Sequence, residues 1–233
     1  MAARRVFRHP AREWFTMDAN ESHLEPAAIL RGIDELSAST QRAMGPNTSL
    51  LYLLWGAVWL LGFLAFYLAF IPGAEPLLPL WLAALVTGIL VAGAIVFSAV
   101  HSARRAQGTR GPSMIQGAVY GNCFALSFIL AGLLGWRLAA AGLDAAGLAS
   151  YALAAACLVI GALAAVGALI WNDRAQLVTG GWILLVGLLS LALPSPHHLL
   201  VGALGGLGMM LIGVLLAARP ALVSGPVLQV GHV

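Results

Sequence analysis

From about position 50 onward the chain alternates between long apolar runs and short polar breaks. The runs lie at about 50–71, 76–100, 114–136, 147–171, 177–194 and 199–218. Each is long enough, at about 1.5 Å of rise per residue, to cross a hydrocarbon core about 30 Å thick. The fifth is the shortest and stops at Pro194. Lipid offers no partners to backbone N–H and C=O groups, so crossing segments must be helices, and no period-two alternation supports a β-barrel. The breaks at 72–75, 172–176 and 195–198 are very short, so consecutive spans turn straight back. The pattern predicts an all-α polytopic membrane protein with six transmembrane helices as three antiparallel hairpins. This domain, 49–218, follows a polar N-terminal segment, 1–48, and precedes a tail, 219–233.

Within the N-terminal segment a different period appears. Ile29, Ile33, Leu36, Thr40 and Ala43 recur at helical spacing and predict an amphipathic helix over about 25–43. Arg31 and Glu35 are spaced for an i,i+4 pair, Ser22 and Glu25 for a capping box, and Pro26 for a first turn. Gly45-Pro46 ends the helix just before the first span. The face made by Ile29, Ile33 and Leu36 is narrow, with mixed charge at its edges. It suits rest on the membrane surface or on the bundle's cytoplasmic face, or docking of a cytoplasmic protein, and matches a basic lipid-binding helix poorly.

Composition agrees with the pattern. Of 233 residues, 61% are hydrophobic and 9% charged, with mean hydropathy +0.91. A soluble domain carries about 25% charged residues. All 12 basic residues are arginine. Eleven of them fall on one side of the expected topology, and only Arg137 falls on the other. The positive-inside bias therefore predicts a multi-pass membrane protein with both termini cytoplasmic. Arg4 and Arg5 stand like a twin-arginine start, but no apolar stretch follows and Pro10, Glu13 and Asp18 interrupt, so no signal peptide is expected. Met17 is a second candidate start.

The chemistry within the spans is sparse. Every ionisable residue after position 48 sits at a span end or in a loop, which disfavours proton- or sodium-coupled transport and leaves no paired mid-span histidines for heme. No Walker loop, GxGxxG, GxSxG or HExxH occurs, so the chain is not expected to hydrolyse nucleotide on its own, and a membrane enzyme would rest only on outer-loop histidines and carboxylates. The polar positions of the third span, Gln116, Tyr120 and Asn122, are the candidate binding residues. Gly117/Gly121 and Gly202/Gly206 are GxxxG pairs of the kind that bring helices into close contact. Cys123 and Cys157 read as buried small apolar residues. Glu75, Asp144, His197 and His198 come from the external loops and carry zinc-type donors, but adjacent histidines on a turn diverge, and no metal or other cofactor is expected. The lipid bilayer accounts for the basic N-terminal arm without nucleic acid.

The helix Pro26–Leu36 followed by GPNTSLLYLLWGAVWLLGFLAFYLAF, with WGAVWLLGF at its core, resembles uncharacterised six-span membrane proteins of GC-rich bacteria. That resemblance implies a transport-related or unassigned membrane role and maps no active residue. Together these features predict a small transporter or transport-associated subunit for neutral or apolar solutes, without its own energy coupling. The alternative is a regulatory or scaffolding protein that holds a soluble partner through the N-terminal helix. Either form is compatible with a homo-oligomer.

Overall fold

The computed structural model describes Gly32 and residues 47–71, 75–105 and 112–227. The chain divides into two units, 1–44 and 45–233. Of the first, only Gly32 is described, and every other described residue belongs to the second. Of the expected helix at 25–43 only Gly32 is described, and it is helical; Ile29, Ile33 and Leu36 lie outside the described residues.

Among the described residues the second unit is all helical. Its elements are α1 (Thr48–Ala69), α2 (Leu80–Arg105), α3 (Pro112–Ala140), α4 (Ala145–Ile170), α5 (Arg174–Leu191), α6 (His197–Ala218) and the short α7 (Pro220–Val223). The first six are long and apolar enough to cross a membrane. Helix α2 outruns its apolar stretch by one turn, with Arg104 and Arg105 placed where cations suit a helix C-terminus.

The helix ends explain the tight turns. Gly142 (φ +95°) ends α3: Gly142 N–H donates to the Ala139 carbonyl and Leu143 N–H to that of Leu138. Asn172 (φ 51°) does the same for α4, with Asp173 N–H donating to Ala168 at 2.9 Å. Both are left-handed terminators that satisfy the last carbonyls. An aspartate follows each as the cap of the next helix. Asp144 accepts from Gly147 N–H at 2.8 Å and Asp173 from Ala175 N–H at 2.9 Å.

In space the helices follow the order α2, α1, α6, α5, α4, α3, each packed on the next. The most extensive packings are α1 on α6 and α4 on α5. Consecutive α2 and α3 share no substantial contact and stand at opposite ends of the row. Glycines make the two main packings possible. A Cβ on Gly206 would lie 2.5 Å from the Gly56 carbonyl oxygen, and one on Gly56 would lie 2.7 Å from that of Gly206. Gly161 and Gly180 repeat this reciprocal approach between α4 and α5, at 3.0 and 2.8 Å. The core lies among α1, α4, α5 and α6, where Trp59, Leu153, Cys157, Ile183, Val186 and Met209 pack together. Cys157 is buried as expected. Cys123 is not: it is exposed on α3, and both thiols are free.

The tail beyond α6 is folded back rather than simply trailing. Val223 is buried, Arg174 N–H donates to the Gly225 carbonyl at 2.9 Å, and Val227 N–H donates to Asn172 Oδ1 at 2.7 Å.

Candidate functional site

The candidate residues of the third span do not converge. Tyr120 faces α4, donating to the Leu163 carbonyl at 2.9 Å and accepting from Gln176 Nε2 of α5 at 2.9 Å. Its ring meets Phe124 and Trp171 edge-on, with centroids 5.1 and 4.7 Å apart. Gly167 opens the space for this node, since a Cβ there would lie 2.6 Å from the tyrosine hydroxyl. Asn122 lies about 200° around α3 from Tyr120. It is exposed on the side away from α4, and its Nδ2 donates to Ala118 O at 2.9 Å within the same helix. Gln116, one turn before Tyr120, is also exposed. The polar node thus comprises Tyr120, Gln176 and the Leu163 carbonyl, and neither Gln176 nor Gly167 stands out in the sequence.

A second tyrosine ties α3 to α4 nearer their other ends. Tyr151 donates to the Ala131 carbonyl at 2.7 Å, and its ring occupies the place left by Gly135, whose Cβ would lie 3.1 Å away. Beside this contact, between α3 and α4, runs an apolar groove of about 560 Å³, walled by small residues that include Gly132, Ala139, Ala152, Ala155 and Ala156 and by the larger Phe128, Trp136, Leu148 and Tyr151. On α4, Ala152, Ala155 and Ala156 leave room between the helices, while Leu148 and Tyr151 line the same groove. A hollow of about 740 Å³ along α2 is walled, among the described residues, by that one helix alone.

The loop donors also separate. Asp144 is engaged as the α4 cap, and the His197 ring lies 6.4 Å from that of Tyr67. His198 is fully buried, with Nε2 3.3 Å from Ser150 Oγ of α4. Glu75 is exposed. Among the described residues no three His, Cys, Asp or Glu side chains are grouped to hold a metal. The Ser150–His198 contact pairs a hydroxyl with an imidazole, as nucleophilic catalysis requires. Ser150 Oγ also donates to Ala146 O at 3.1 Å. The pair is a polar tie of α6 to α4. The sequence offered no signal for it, because the residues are 48 positions apart.

No family model matches the chain, and searches of curated proteins and of solved structures found no match either.

Proposed function

We propose that this chain is a transport protein, or a transport-associated subunit, of the bacterial inner membrane that takes up a neutral solute with an apolar chain in the α3–α4 groove. The groove carries this reading, because its lining is almost wholly apolar, with small residues beside Phe128, Trp136, Leu148 and Tyr151, and it lies between two helices long enough to span. A polar route through the bundle has no comparable support: α1, α6, α5 and α4 meet at glycine contacts, and the core residues are apolar. No ionisable side chain lies in the middle of a span, so energy coupling falls to a partner or to the solute's own gradient. Arg104, Arg105, Arg174 and Arg219 lie at the Asn47 end of the helices, which supports placing that end, and both termini, in the cytoplasm. The three-hairpin organisation belongs to the same reading.

The test uses proteoliposomes of the full chain. A diazirine-bearing long-chain alcohol should label the groove segments 128–139 and 148–156. A fluorescent neutral glycolipid should exchange between leaflets faster than in empty vesicles, read by chemical quenching of the outer leaflet. Ala152→Leu with Ala155→Leu fills the groove and should reduce both signals several-fold. Labelling without exchange assigns an accessory role. Absence of both would remove the transport reading and favour a scaffold that works through the N-terminal helix.

A further inference from the structure

We infer that the outward side of α3 around Asn122 is the docking surface for a second copy of this chain. Among the described residues helix α3 packs chiefly on α4, with one hydrogen bond to Gln176 of α5, and none of its apolar window is buried. Asn122 is the tenth residue beyond Pro112 and the eighteenth before Ala140. At about 1.5 Å per residue it stands roughly 15 Å and 27 Å of helix from the two ends, well within hydrocarbon depth. The flanking positions on the same side, Leu126, Ile129 and Leu133, are apolar and more than half exposed. One N–H of the carboxamide reaches Ala118 O; its Oδ1 has no partner among the described residues. Lipid supplies none.

A carboxamide is both donor and acceptor, so it complements itself. Two copies in one membrane share an orientation. A two-fold axis along the membrane normal therefore sets Asn122 opposite Asn122 at equal depth, and each Oδ1 can accept from the other's N–H. Ala118 and Ala125 lie one turn to either side of Asn122, and nothing stands within 4 Å of a Cβ placed on neighbouring Gly121. Small flanks of this kind let two helices come close. Helix α2 also leaves small residues uncovered, with nothing within 4 Å of a Cβ on Gly88 or Gly93, but it carries no carboxamide to pair. Asn122 sits in the half of α3 away from the α3–α4 groove, so pairing at this surface is independent of the proposed function.

Disulfide trapping in native membranes tests it. In a Cys123→Ser background, Ala125→Cys should form a dimer on copper-phenanthroline oxidation, whereas Ile89→Cys on α2 should not. Adding Asn122→Leu should lower the Ala125→Cys dimer yield roughly fivefold, in line with one interhelical hydrogen-bonded pair. Native mass spectrometry from lipid nanodiscs should show a dimer for the unaltered chain and mainly monomer for Asn122→Leu. Thermal unfolding of the variant in detergent reports that its fold is intact. A monomer throughout, an Ala125→Cys adduct with a different protein, or a dimer indifferent to Asn122→Leu would each overturn the inference.

Discussion

At the scale of single residues, glycine carries the most contrast, and its neighbours decide what it does. Gly206 and Gly117 both belong to GxxxG pairs, yet they sit in opposite surroundings. A Cβ on Gly206 would meet backbone, 2.5 Å from Gly56 O and 2.6 Å from Leu60 N, neither of which can rotate away. Gly206→Ala must therefore push α1 off α6 and should cost about 1–3 kcal/mol, as overpacking does. Gly117 has nothing within 4 Å, and Ala there should leave stability unchanged or raise it by up to about 1 kcal/mol through helix propensity. Thermal unfolding in detergent, followed by tryptophan fluorescence, distinguishes the two. Equal losses in both would mean that the α1–α6 contact is not what Gly206 serves. The sequence showed two matching motifs and had no means of separating them, because the partner of a helix face is a property of the packed bundle. The same limit explains Cys123, which shares its hydropathy with Cys157 but not its burial.

At the scale of elements, the helices themselves were legible and their attachments were not. Six apolar runs became six helices because hydropathy and length are written locally, and the ends moved by only a few residues where caps such as Asp144 and Asp173 took over. The α3 attachment depends instead on two hydroxyls that find carbonyls on another helix. Tyr120 holds one half of α3 against Leu163 and Tyr151 holds the other against Ala131. Each such bond is worth about 0.5–1.5 kcal/mol in general and averages about 0.6 within a bilayer, so neither alone decides the packing. Tyr120→Phe with Tyr151→Phe should leave α3 helical but loosen it from α4. Spin labels on exposed Cys123 and on Leu158→Cys of α4 would report this as a broadened distance distribution. An unaltered distribution would show that van der Waals contact alone seats α3. Of the candidate site, Tyr120 was readable as a polar point in a span. Its partners Gln176 and Leu163 lie 56 and 43 positions away, and no local pattern links them.

For the whole molecule, one decision fixes the orientation of every span. Asn47 N–H donates to His101 Nε2 at 3.1 Å, joining the start of α1 to the end of α2, and Arg174 N–H donates to Gly225, joining the α4–α5 turn to the tail. These ties gather the Asn47 end into one surface, and the short turns Gly142–Asp144 and Asn172–Asp173 leave no slack for one span to reverse alone. The arginine bias therefore acts on the row as a unit. Phosphatase fusions should be active after Leu143 and after Ser195, and inactive after Arg105 and at the C-terminus. The bias is distributed unequally: six arginines precede position 48, Arg104 and Arg105 close α2, and Arg110 follows it. Replacing those three by Ala should leave the fusion pattern unchanged, because the N-terminal set still outweighs the single Arg137. Replacing both sets, with Glu75→Arg and Leu193→Arg on the opposite side, should produce chains of both orientations, active at fusions from either set. If the three loop substitutions alone invert the chain, the N-terminal segment does not govern insertion, and the cytoplasmic placement of the first 48 residues loses its basis.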